Sequence, residues 1–77
     1  MIRVDDLDWY ACGNGEYCEY CGDEYRYTYR NGKYLLFFIR DDYVIESVMQ
    51  GVSTDYDAKQ FIVDLIDSDN GLIDGGE

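Results

Sequence analysis

Asn31-Gly32 stands between two strand-like runs, and few dipeptides dictate a local fold as firmly. A type I′ hairpin turn needs positive φ at both central residues, which Asn and Gly tolerate. Before the pair, Glu24–Arg30 alternates. Tyr25, Tyr27 and Tyr29 share one face, and Glu24, Arg26, Thr28 and Arg30 share the other. After it, Lys33–Arg40 is apolar on both faces, as suits the central strand of a small sheet. Asp41-Asp42 supplies another turn, and Tyr43–Gln50 reads as a third strand ended by Gly51. Residues 24–50 are thus expected to form a three-stranded antiparallel meander.

A helix should follow over residues 54–70. Ser53 and Thr54 offer an N-cap, and Thr54-Asp55-Tyr56-Asp57 resembles a capping box with Asp in place of Glu. Ala58, Phe61, Ile62, Leu65 and Ile66 fall at i, i+3, i+4, i+7 and i+8, a core-facing stripe. Asn70-Gly71 supplies the stop, leaving residues 71–77 as a tail. Asp67-Ser68-Asp69-Asn70-Gly71 superficially follows a calcium loop, but its Gly comes one position early, so it reads as a helix C-cap. At the other end, Met1–Val4 suits a short strand and Asp5–Ala11 a helical turn. Cys12–Asp23, with three Gly and three Cys, shows no clear period and reads as irregular loop. The expected whole is one α+β domain over residues 1–77. An acidic Cys/Gly-rich segment (1–23) precedes the meander, and the helix packs on one face of the sheet.

Charge bounds the partners. Seventeen Asp and Glu face six Lys and Arg, for a net charge of −11. Asp5–Glu24 holds acids and no base, Arg26–Arg40 holds bases and no acid, and from Asp41 onward Lys59 is the one base. Like charge of this size opposes compactness, so it serves solubility or a basic partner. Free nucleic acid and anionic membrane repel such a chain. The longest uncharged apolar run, Tyr34–Ile39, has six residues, far short of a membrane span. The amino end lacks an apolar stretch of signal-peptide length, so a cytoplasmic location is expected.

Catalysis has little to work with. The chain has no His, hence no imidazole base and no His-activated nucleophile. No carboxylate pair is singled out by an apolar setting that would split its pKa values. The chain is expected not to be an enzyme and to need no cofactor. Cys12, Cys18 and Cys21 are the candidate metal ligands, because Cys18-Glu19-Tyr20-Cys21-Gly22 looks like one zinc knuckle. Structural zinc wants four ligands, so a carboxylate or a second chain would have to complete the set. The competing reading makes these cysteines small hydrophobes in a loop-rich region.

The candidate binding residues are Asp5, Asp6 and Asp8 near the amino end, and Asp55, Tyr56, Asp57, Asp64 and Asp67 on the helix. At helical rise, Asp57 and Asp64 lie about 10 Å apart along the axis, not far from spacings of phosphates on a nucleic-acid strand. Any helix also needs a polar outer face, but Asp is a weak helix former compared with Glu or Lys. In size, charge and element order the chain resembles small phage-encoded inhibitors of host defence, the anti-CRISPR and anti-restriction proteins that mimic nucleic acid. The resemblance is to the class and spans the whole chain; no family motif matches, so no family residue is carried over. It implies an acidic inhibitor in the host cytoplasm, monomeric or dimeric. Such a protein blocks the nucleic-acid groove of a basic protein or CRISPR or restriction complex. Two other readings stay open: a zinc-stabilised or dimeric structural module, and an immunity protein against a toxin nuclease.

Overall fold

Two-residue turns organise the chain, and there are more of them than the sequence reading placed. The computed structural model describes residues 2–75, and side chains as far as residue 68. Among the described residues the chain forms five strands: β1 (Tyr10–Cys12), β2 (Gly15–Tyr20), β3 (Asp23–Arg30), β4 (Lys33–Arg40) and β5 (Tyr43–Val48). A 3₁₀ turn at Val4–Asp6 precedes them and a helix, α1 (Asp55–Gly75), follows. The sheet is an antiparallel meander in the order β1-β2-β3-β4-β5.

The expected three-stranded meander is therefore corrected to a five-stranded one, within the same α+β class. The segment read as irregular loop supplies β1 and β2. Gly13-Asn14 closes the first hairpin with Gly13 at φ +57°, and Cys21-Gly22 closes the second with φ values of +53° and +85°. The latter pair matches Asn31-Gly32 in conformation, at +53° and +78°. Ile2 and Arg3 are not in a strand, and the expected turn at Asp5–Ala11 shrinks to Val4–Asp6. The helix also runs past Asn70-Gly71 to Gly75, so that pair is neither its stop nor a C-cap. Leu72 and Ile73 repeat the Leu65 and Ile66 positions one heptad on, so the helical pattern continues across the glycine.

Register assigns the two faces. Tyr25 and Tyr27 lie opposite Phe38 and Leu36 on β4 and opposite Cys18 and Glu16 on β2. That face carries the core: Cys18, Tyr25, Tyr27, Tyr34 and Leu36 pack with Met49 and with Ala58, Ile62 and Ile66 of α1. Val63, off the predicted stripe, is fully buried too, while Phe61 and Leu65 are half-buried. The helix start is capped as its sequence suggests, the Asp57 amide donating to Thr54 Oγ1 at 3.0 Å. The opposite face carries Tyr17, Arg26, Leu35, Phe37, Ile39 and Val44.

β2 can approach β3 as it does because Gly15 has no side chain. A Cβ there would overlap the Tyr27 carbonyl and crowd the Thr28 backbone. Gly15→Ala is expected to cost about 2 kcal/mol. Urea unfolding of the variant against the parent checks this.

Candidate functional site

The Cys-rich segment, once folded, does not gather its thiols. Cys18 lies opposite Tyr25 on the helix-covered face and is fully buried. Cys12 lies opposite Gly15, and through it Thr28, on the other face. Cys21 is exposed in the β2–β3 turn. Among the described residues no group of three or more His, Cys, Asp or Glu is arranged to hold a metal ion. Burial, with Glu19 and Glu24 nearby, pushes the Cys18 thiol up to about 12, so it packs as a neutral hydrophobe.

The helical acids divide by what they touch. Asp55 accepts a hydrogen bond from the Tyr34 hydroxyl at 2.7 Å. This bond, then burial, raises the Tyr34 pKa to about 12. Asp57 sits in the capped first turn, 3.5 Å from the Ser53 hydroxyl. Asp67 accepts the Ile2 amide at 3.1 Å, tying the amino end to the helix. Asp64 accepts from Gln60 at 3.0 Å on the exposed surface, and Tyr56 is 62% exposed. Near the amino end, Asp6 accepts the Arg3 amide at 3.0 Å, while Asp5 and Asp8 are exposed.

The 3₁₀ turn packs against α1 and brings the two predicted clusters together. Ile2, Arg3, Val4 and Asp5 line a hollow with Tyr56 and Gln60 of the helix. On its far side, Asp6, Leu7 and Asp8 line a second hollow of about 360 Å³ with Tyr10, Glu19 and Tyr20. Three carboxylates and two tyrosine side chains thus border one concavity. Glu19, Tyr10 and Tyr20 were not among the predicted site residues. Their signal was present in the recurring acid–Tyr neighbours Glu19-Tyr20 and Asp8-Trp9-Tyr10, but needed β1 and β2 to be placed.

Glu19 carries a cost. It lies directly opposite Glu24 across β2 and β3, and like charges in that position destabilise a sheet. Arg26 pairs with Glu24 at 2.6 Å while lying 5.6 Å over the Tyr17 ring. Other cations are also engaged: Arg40 grips Asp23 through two bonds of 2.8 and 2.9 Å, and Lys59 meets Glu16 at 2.9 Å. Arg26 and Arg30 line a hollow with Cys12, Thr28 and Phe37 on the face away from the helix.

No protein-family model, curated protein or solved structure matches the chain.

Two measurements follow from these environments. Burial works to raise the Glu16 pKa, but hydrogen bonds from Tyr27 and Lys59 and the Lys59 charge outweigh it and hold it below the usual value. The Arg40 guanidinium lowers Asp23 likewise. Groups of this kind contribute stability above their unfolded pKa and lose it as pH falls, so the urea midpoint should drop below about pH 5. Glu16→Gln should lower stability at neutral pH and make that acid decline shallower; an unchanged pH slope would refute the assignment. In a native maleimide labelling course, Cys21 should react first, Cys12 more slowly, and Cys18 only on unfolding.

Proposed function

We propose that the protein is an acidic inhibitor that binds a basic nucleic-acid-binding protein, of the CRISPR or restriction type, and excludes nucleic acid from its groove. The observation that carries this reading is the hollow bordered by Asp6, Asp8 and Glu19 together with Tyr10 and Tyr20. Carboxylates beside aromatic rings suit the Arg and Lys side chains that otherwise grip phosphates, by charge and by cation–π contact. The Glu19–Glu24 opposition supports it, because Glu19 is a carboxylate that folding alone disfavours. Asp5 and Asp64 extend the acidic surface on either side of Tyr56 and Gln60. Opposite charge steers the encounter and the tyrosines slow departure.

Asp67 and Asp6 are poor test positions, since both hold the amino-terminal segment in place. Asp8→Lys with Glu19→Lys is the better variant. Glu19→Lys removes a like-charge pair and should raise fold stability by about 0.5 kcal/mol. Displacement of labelled DNA is measured by anisotropy across purified CRISPR effectors, restriction enzymes and a toxin nuclease. The parent protein should displace DNA from at least one, more weakly as salt rises, and the double variant should lose at least tenfold in potency. Equal potency of the variant, or displacement insensitive to salt, would defeat the proposal. A hit confined to the toxin nuclease would replace the inhibitor reading with that of an immunity protein.

A further inference from the structure

The two edges of the sheet are treated differently. β1 is a three-residue edge, short enough to offer little template for pairing. β5 is a six-residue edge, exposed along its whole length. Its sequence, Tyr-Val-Ile-Glu-Ser-Val, contains no Pro or Lys, and its register with β4 runs without a bulge from Tyr43 to Val48. Natural sheets usually block such an edge with one of those devices.

We propose that β5 pairs with β5 of a second copy of this chain, forming an antiparallel two-fold dimer with one continuous sheet. Hairpin geometry fixes which groups are free. The Met49 amide donates to the Tyr34 carbonyl, so odd-numbered residues along this strand bond inward to β4. Val44, Glu46 and Val48 therefore direct their backbone N–H and C=O groups to the open edge. A two-fold pairing that joins these groups must place even-numbered residues opposite even-numbered ones.

Charge then selects the register. Centring on Glu46 would set Glu46 against its own copy, and centring on Val44 would set Asp42 against Glu46; both oppose like charges. Centring on Ile45 places Val44 opposite Glu46, Asp42 opposite Val48 and Tyr43 opposite Ser47, with no carboxylate facing another. In this register Tyr43–Ser47 of the two strands overlap, and Val48 of each faces the turn residue Asp42 of the other. On the helix-covered side, Ile45 borders an apolar cleft with Leu36, Phe38 and Leu65. The second Ile45 would meet the first there, covering side chains that are 44% exposed in one copy. The acids of the amino-terminal turn lie on β1's side of the chain; Asp41, Asp42 and Glu46 of each copy do lie at this edge, and their repulsion across the seam is what salt screens.

One strand pair is small beside the roughly 1,600 Å² of a standard interface, so the dimer should be concentration-dependent. Sedimentation equilibrium in reducing buffer should show monomer and dimer, with the dimer fraction rising as salt screens the charge. That salt trend is opposite to the one expected for the basic partner, so the two proposals fail separately. Glu46→Pro removes an outward N–H without breaking a bond to β4 and should leave a folded monomer. Should that variant misfold, Ile45→Lys sets two ammonium groups on the axis and should give the same loss. In a Cys12→Ser, Cys21→Ser background, Ile45→Cys should form a disulfide-linked dimer in air and Val48→Cys should not. A parent protein monomeric into the millimolar range at every salt, or Ile45→Cys and Val48→Cys crosslinking equally, overturns the proposal.

Discussion

The hydroxyl of Tyr27 is the constraint on which the rest of the molecule turns. Tyr27 is fully buried at the centre of the sheet, and a buried hydroxyl without a partner would cost several times what a satisfied one contributes. Its partner is Glu16 at 2.6 Å, itself a carboxylate that needs compensation. Lys59 provides that from α1 at 2.9 Å and lies 5.6 Å over the Trp9 ring, whose indole N–H donates to the Val4 carbonyl at 3.0 Å. One polar relay thus passes from β3 through β2 and α1 to the amino-terminal turn. In so small a core, it fixes how the helix sits on the sheet and where the acidic turn is held.

The same relay explains what the sequence hid. The Asn31-Gly32 hairpin and the capped, amphipathic helix start were legible because their patterns are conventional. β2 was not, because Glu16 points inward while Tyr17 and Glu19 point outward. A charged residue on the covered face inverts the usual alternation, and only Tyr27 and Lys59 make it tolerable there. Gly13-Asn14 and Cys21-Gly22 were adequate turn signals, obscured by a segment rich in Gly and Cys. For the candidate surface, residue type was readable and engagement was not. Asp67 and Asp6 look as free as Asp64 and Asp8 in one dimension, yet two of them anchor the amino-terminal segment.

The charge of −11 resolves into unlike regions once folded. Carboxylates border the amino-terminal turn and the start of α1, whereas on the helix-free face of the sheet Arg26 and Arg30 lie beside Phe37, with Glu19 and Glu24 on that same face. A uniform acidic coat would serve solubility from any direction. A coat interrupted by a sheet face where mixed charges sit among Leu35, Phe37 and Ile39 gives the molecule distinct sides, which is what selective association requires.

Because successive strands are neighbours throughout the sheet and two residues close each hairpin, almost all strand contacts are short-range in sequence. Loop-closure entropy is small for every pairing step, and the sheet can assemble hairpin by hairpin. The longer closure is docking of α1, which brings Lys59 back to Glu16 and Asp67 back to Ile2. The sheet therefore has the topology to form early, while its apolar covered face stays bare until the helix arrives. The interval between those two events is when the chain is most exposed to misassociation, and the density of like charge is then a safeguard for the folding chain as well as for the folded one.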